Sequence, residues 1–149
     1  MATLHRAIMI STIAFDGVFD KGGVPFFLHQ VRVSLKGKTE DERIVGMLHD
    51  LVEDVDGWTC ERLLEEGFAP HIVQAVDNLT RRKGETYAEF IERCCLSLLS
   101  INVKLYDLED NMDINRLILV TDQDMNRMKR YHKARQTLLE AKEKWLTIM

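Results

Sequence analysis

A chain of 149 residues is the size of one domain with a single core. With 46% hydrophobic and 30% charged residues it reads as an ordinary globule rather than a disordered chain. Its net charge of −4 provides no global positive field for nucleic acid or an anionic membrane, so any phosphorylated ligand has to be held by a local cationic site or a metal.

The first element is an apolar run from Ala7 to Phe15, preceded by His5 and Arg6. It is too short to span a bilayer, and Leu4, Ile8, Ser11 and Phe15 keep helical spacing, so an ordinary first helix is expected rather than a signal peptide. Val24, Phe27, Leu28, Val31 and Leu35 predict an amphipathic second helix with Pro25 near its first turn. Ile44, Leu48, Leu51 and Val55 predict a third behind Thr39 as N-cap, with Glu42 three residues on. Two shorter helices follow over Thr59–Glu66 and Pro70–Leu79. Thr86, with Glu89 completing a capping box, begins the next. Ile101, Leu105, Leu108 and Met112 mark another, and Met128, Tyr131, Leu138, Trp145 and Met149 a long last one that packs on the core. No segment alternates with period two. The expectation is an all-α helical bundle forming a single domain over residues 1–149.

Three cysteines, Cys60, Cys94 and Cys95, make an odd set with one adjacent pair and no Cys-x-x-Cys spacing. A disulfide framework and a thiolate zinc site are both disfavoured, and a reducing cytoplasm is the expected compartment.

Chemistry concentrates in two stripes. In Gly46-Met-Leu-His49-Asp50-Leu-Val-Glu53-Asp54, the residues Gly46, His49, Asp50 and Glu53 fall on one face of a continuous helix. Three carboxylates and an imidazole within six residues repel unless a divalent cation offsets them, and Gly46 leaves room for another group to approach. In the second stripe Lys104, Asp107 and Asn111 run beside the apolar row of the same helix, which places Asp107 at the core margin, where a bare carboxylate is costly. Each feature alone has a bland reading: Glu53 and Asp54 as solvated charges, His29 and His49 as packed core histidines, Asp107 as a partner of Lys104 or Arg116, and Arg81-Arg82-Lys83 as a solvated loop. Their co-occurrence favours a site.

The ordered set His29, His49-Asp50-x-x-Glu53-Asp54 and Asp107 resembles the HD superfamily of metal-dependent phosphohydrolases. Within it, the set resembles the RelA/SpoT-type alarmone hydrolase domain, including the small alarmone hydrolases and metazoan SpoT homologues. Ala14-Phe-Asp-Gly17-x-x-Asp20-Lys21-Gly-Gly-Val-Pro25-Phe26-Phe-Leu-His29 is similar to that family's A-H-x-G-Q-x-x-K-x-G-x-P-Y-x-x-H. Leu79-Thr80 is similar to its L-T-K, and Val103-Lys104-Leu105-x-Asp107-x-x-Asp110-Asn111 to its V-K-L-A-D-x-x-D-N.

The resemblance implies that His29, His49, Asp50 and Asp107 ligate one divalent metal, usually Mn²⁺. It places Glu53 and Asp54 beside the attacking water, and Lys21, Lys104 and Asn111 along a nucleotide substrate. The implied reaction is removal of pyrophosphate from the 3′ position of guanosine tetra- or pentaphosphate (ppGpp and its relative). Other nucleotide phosphohydrolysis, by a nucleotidase or an NADPH phosphatase, and non-catalytic nucleotide binding are the alternatives. The chain departs from the pattern at Phe15, Val18, Asp20 and Gln30, where the family has His, Gln, often Arg, and Pro.

Overall fold

The computed structural model describes residues 1–149 as nine α-helices joined by turns and loops. They are α1 (Leu4–Ala14), α2 (Phe27–Lys36), α3 (Glu40–Leu48), α4 (Leu51–Asp54), α5 (Cys60–Glu65), α6 (Pro70–Asn78), α7 (Tyr87–Cys94), α8 (Leu98–Asn111) and α9 (Asp122–Ile148). A single 3-10 turn spans Ile114–Arg116. Extended pairing is confined to one isolated bridge between Phe19 and Pro25, which closes the loop before α2. No helix is long and apolar enough to cross a membrane.

Polar side chains start most of these helices. Thr39, Thr59, Thr86, Ser97 and Thr121 each accept the amide of the residue three positions on, satisfying a free N–H of the first turn. The reciprocal bond of a capping box forms at Thr121 with Asp124. The expected box at Thr86 lacks its second half, and Glu42 turns its carboxylate instead to the amide of Lys38 (2.7 Å), Asn102 (2.9 Å) and the Tyr106 hydroxyl (3.0 Å). Glu42 is buried, so these bonds tie the start of α3 to α8.

Helix α3 lies at the centre, packed against α1, α2, α6 and α8. Ile44, Val45, Met47 and Leu48 are all buried, as befits a helix with neighbours on every side. Its closest approach is to α2: a Cβ at Gly46 would stand 2.9 Å from the Ser34 Cα and 3.0 Å from its amide nitrogen. The room expected at Gly46 is filled by the α2 backbone. Helix α9 packs on α7 and α8 through Ala134 and Leu138, and Trp145 donates its indole N–H to the Cys95 carbonyl at 3.1 Å.

Two periodicity expectations are corrected. On α2 the apolar stripe faces largely outward, with Leu35 74% exposed, while His29, Gln30, Val33 and Ser34 are buried. The inward face is polar and small because it meets the Gly46 contact and carries side chains into the site. On α1 the stripe holds at Leu4, Ser11 and Phe15, but Ile8 is exposed and Ala7 and Ile10 take the buried places beside it.

Candidate metal centre

The expected continuous third helix is broken. α3 ends at Leu48, and helix resumes at Leu51 as α4, so His49 and Asp50 form a turn between them. The His49 ring supplies the reason: its Nδ1–H donates to the Gly46 carbonyl at 2.7 Å. In the neutral ring that bond keeps the proton on Nδ1 and leaves Nε2 as the lone pair. This Nε2 is buried and has no hydrogen-bonding partner. It stands 3.1 Å from Asp50 Oδ2 and 3.4 Å from Asp107 Oδ1.

His29 arrives from α2 in the same arrangement. Its Nδ1–H donates to Asp110 Oδ2 at 2.6 Å, and its Nε2 stands 2.9 Å from Asp107 Oδ1 and 3.6 Å from Asp50 Oδ2. The two imidazoles are edge to face, 5.3 Å between centroids. Both Nε2 atoms therefore meet the same two carboxylate oxygens. The nearest donor atoms of His29, His49 and Asp50 all lie within 4.8 Å of one another, and Asp107 Oδ1 faces both rings. Ligands bonded to a common cation at about 2.0–2.2 Å stand roughly 3 to 3.5 Å apart, so these spacings suit a metal. Two imidazoles, two carboxylates and no thiolate suit a borderline or hard divalent ion. The buried, unpartnered Nε2 of His49 is the lone pair such an ion would use.

Each ligand is held from behind. Gln30, buried on α2, donates to Asp50 Oδ2 at 2.8 Å. Asn111 donates to Asp107 Oδ1 at 3.0 Å, and the Lys104 ammonium donates to Asp107 Oδ2 at 2.7 Å. Asp110 accepts from Arg32 as well as His29, and Arg116 lies 3.3 Å away. Burial would lower the pKa of both imidazoles. For His29 the carboxylates of Asp107 and Asp110 outweigh it and lift the ring to about 8; for His49 Asp50 and Asp107 lift it well above its ordinary value. Burial likewise opposes the charged form of Asp107, yet Lys104 and the two imidazoles hold it well below the usual carboxylate range. The field that draws protons onto the rings is the field that attracts a cation.

Glu53 and Asp54 stand beside Asp50, the donor oxygens of the three within 4.8 Å of one another. Glu53 Oε1 accepts the backbone N–H of Arg81 at 2.7 Å. Partial burial lifts Asp54 to about 7, reinforced by the charges of Asp50 and Glu53, which makes it the more readily protonated member of the pair.

The expected substrate-binding residues are placed differently from one another. Lys104 is buried, its ammonium on Asp107 and 4.9 Å from the Phe90 ring centroid. Asn111 is turned to Asp107. Lys21 is exposed and lines a polar cleft of about 320 Å³ with Gln123, Asn126, Arg127 and Arg130. Arg130 reaches the Tyr87 ring at 5.1 Å, Tyr87 packs on Phe90, and Phe90 meets Lys104, so an unbroken set of contacts joins this cationic cleft to the metal cluster. Asp20 accepts the amides of Gly22 (2.9 Å) and Val24 (3.0 Å), shaping the turn that carries Lys21. A larger cavity of about 550 Å³ between the end of α8 and the start of α9 is lined mainly by Met112, Ile114, Met125 and Met128 and holds none of the cluster residues.

Other residues that build the site have no assigned role from sequence. Asp110 sits one turn beyond Asp107, a spacing that signals a shared face. Gln30 adjoins His29 but carries no recognisable signal. Arg127 and Arg130 lie on the last helix, far from the motif segments, and only the packing of α9 reveals them.

No family model matches the sequence, and no curated protein matches it. A solved structure does: that of a metazoan ortholog of SpoT described as hydrolysing ppGpp and playing a role in starvation responses. It superposes with a TM-score of 0.75 at 21% identity, over 93% of this chain and 86% of that one. The chain therefore has the helical fold of that hydrolase.

Proposed function

We propose that this chain is a metal-dependent phosphohydrolase that removes pyrophosphate from the 3′ position of guanosine tetraphosphate, using one divalent cation, with Mn²⁺ the expected ion, in a reducing cytoplasm. The observation that carries the reading is the convergence of two buried imidazole Nε2 atoms on Asp50 and Asp107, with His49 Nε2 making no hydrogen bond there. The substrate class comes from the fold shared with the SpoT ortholog, for which ppGpp is the molecule hydrolysed.

His29, His49, Asp50 and Asp107 are the proposed ligands. A divalent cation bound there offsets phosphoryl charge and lowers the pKa of water toward neutrality. Glu53, anchored by the Arg81 amide, is the proposed group that orients and deprotonates the water, and Asp54, raised to about 7, the group that delivers a proton to the departing pyrophosphate. Lys21, with Arg127 and Arg130, supplies positive charge for the substrate phosphates in a chain of net charge −4. Lys104 and Asn111 are proposed to act on the substrate side through Asp107, the carboxylate both of them hold.

One observation supports a broader nucleotide range. The Asp20 carboxylate is occupied by its own turn and offers no guanidinium to stack on guanine, so an adenine nucleotide or NADPH is the second substrate reading. The clustered Glu53 and Asp54 favour catalysis over passive nucleotide binding. The test compares guanosine tetraphosphate, its adenosine analogue, NADPH and a nucleoside 5′-monophosphate at equal concentration, with Mn²⁺ and with EDTA. Release of pyrophosphate from guanosine tetraphosphate, abolished by EDTA, is expected. Turnover of the monophosphate alone moves the assignment to a nucleotidase, and activity that persists in EDTA sinks the metal-dependent reading.

A further inference from the structure

The side chain of Glu53 projects from α4, a helix of only four residues, and its one strong hydrogen bond comes from outside that helix, from the Arg81 amide at 2.7 Å. Arg81 lies in the turn between α6 and α7, where Arg81, Arg82, Lys83 and Gly84 are all exposed. An exposed turn with little apolar burial is the kind of segment that opens locally. Its position matters, because the amide can hold the carboxylate only while the turn keeps its shape.

Arg93, on α7, clasps that turn from beneath. Its side chain is 16% exposed. Nη1 points at three carbonyls on the α6 side: Asp77 (3.1 Å), Asn78 (3.1 Å) and Thr80 (2.7 Å). Nε and Nη2 grip both oxygens of Glu85 at the far end of the turn. Glu85 also accepts the Arg82 amide at 3.0 Å, and Arg82 returns to the carbonyls of Asp77 and Thr80. One guanidinium thus bridges both ends of the segment that carries Arg81. A lysine at this place could not do the same, since an ammonium is a single point of charge without the planar fork.

We propose that Arg93 is a positioning residue for Glu53, acting through the α6–α7 turn and the Arg81 amide, without touching substrate or metal. The inference rests on Glu53 serving in the phosphohydrolase reaction proposed above.

The test uses the full chain loaded with Mn²⁺, with guanosine tetraphosphate as the probe, and compares wild type, Arg93→Lys, Glu53→Gln and the double variant. Arg93→Lys is expected to lower kcat by about tenfold or more with KM and metal content unchanged, and to have no further effect once Glu53 is Gln, the non-additivity expected of residues acting through one group. A second readout is independent of turnover: hydrogen exchange of the Arg81 amide is expected to accelerate by about tenfold or more in Arg93→Lys while Leu105, in α8, stays protected. Should Arg93→Lys fail to fold, Glu85→Gln, which loosens the same clasp from its other end, takes its place in both measurements. Wild-type protection of Arg81 in these variants, or a full Arg93→Lys effect persisting in the Glu53→Gln background, overturns the proposal. If Glu53→Gln alone keeps full turnover, the role given to Glu53 fails instead, and the exchange measurement still decides whether Arg93 orders the turn.

Discussion

His49 Nδ1 lies 2.7 Å from the Gly46 carbonyl oxygen, the acceptor that the Asp50 amide would use in an unbroken α-helix. The histidine ring thereby ends α3 and aims its own Nε2 at Asp50 and Asp107 in one step. Gly46 serves twice, since its missing side chain also admits the α2 backbone and brings His29 opposite His49. Gly46→Ala should therefore act on both helices. The added methyl meets backbone atoms that cannot rotate away, and overpacking of this kind costs about 1–3 kcal/mol. The expected result is a lower Tm together with weakened Mn²⁺ binding, as α2 is pushed back. A variant with wild-type metal affinity would show that the α2–α3 spacing does not set the ligand geometry.

Asp110 gives a second prediction. It holds the Nδ1–H of His29, and although burial pushes its pKa upward, the bonds from His29 and Arg32 keep it well below the usual carboxylate range. Partners of this kind orient a ligand ring and raise its basicity, and their loss typically costs about 10- to 100-fold in metal affinity or activity. Asp110→Asn keeps the size but weakens the acceptor. It should lower Mn²⁺ affinity within that range while the helical circular dichroism is unchanged. Undiminished affinity would make Asp110 a fold residue only.

Much of the fold was legible because helix signals are local. Thr59, Thr86 and Pro70 mark helix starts found within a residue of their expected places, and the spacing of Ile101, Leu105 and Leu108 belongs to α8 as read. The four proposed ligands are also brought together as their order in the motifs implied. What was not legible depends on tertiary contact. The break after Leu48 comes from a side chain competing for a helix carbonyl, which leaves no trace in hydrophobic periodicity. The inward face of α2 is polar because it lines the site, so its apolar stripe pointed the wrong way. The cleft of Lys21, Arg127 and Arg130 joins segments about a hundred residues apart, beyond the reach of any spacing rule.

Lys104 was expected at the substrate and is found buried against Asp107 and Phe90. Burial disfavours its charge, but Asp107 outweighs that and raises the ammonium further above its ordinary pKa. Lys104→Met removes the cation and leaves the Asp107 carboxylate buried without its main partner; breaking a buried pair in this way costs about 3–5 kcal/mol. A large drop in Tm is expected, with partial recovery on adding Mn²⁺, because a metal supplies replacement positive charge to Asp107. Lys104→Arg keeps the charge and should retain most of the stability. If Lys104→Met melts like wild type and changes only KM, Lys104 acts on the substrate directly and not by holding Asp107.

Metal affinity should depend steeply on pH, and the sign follows from the two imidazoles. A ligand imidazole has to be neutral at the bonding nitrogen, so metal and proton compete for Nε2. Asp107 and Asp110 lift His29 to about 8, against the opposing effect of burial, and His49 is lifted as well. Below pH about 8 the His29 ring therefore carries a proton that the metal has to displace, the raised His49 ring adds a second, and affinity falls about tenfold per pH unit for each proton released. Below pH about 8 the logarithm of the Mn²⁺ association constant should therefore climb with pH, with a slope of about one from His29 and a steeper one wherever His49 also releases its proton. It should flatten once both rings are neutral. Titration calorimetry in two buffers of different ionisation enthalpy measures the proton release directly. The same linkage sets thermal stability: at a metal concentration about 100 times Kd the native state gains about 2.7 kcal/mol, and at fixed Mn²⁺ that gain shrinks as the pH is lowered. The rise in Tm on adding Mn²⁺ should thus be larger at pH 8 than at pH 6 and should vanish with EDTA at either. A pH-independent affinity across this window would mean that His29 and His49 do not bind the metal through their Nε2 atoms.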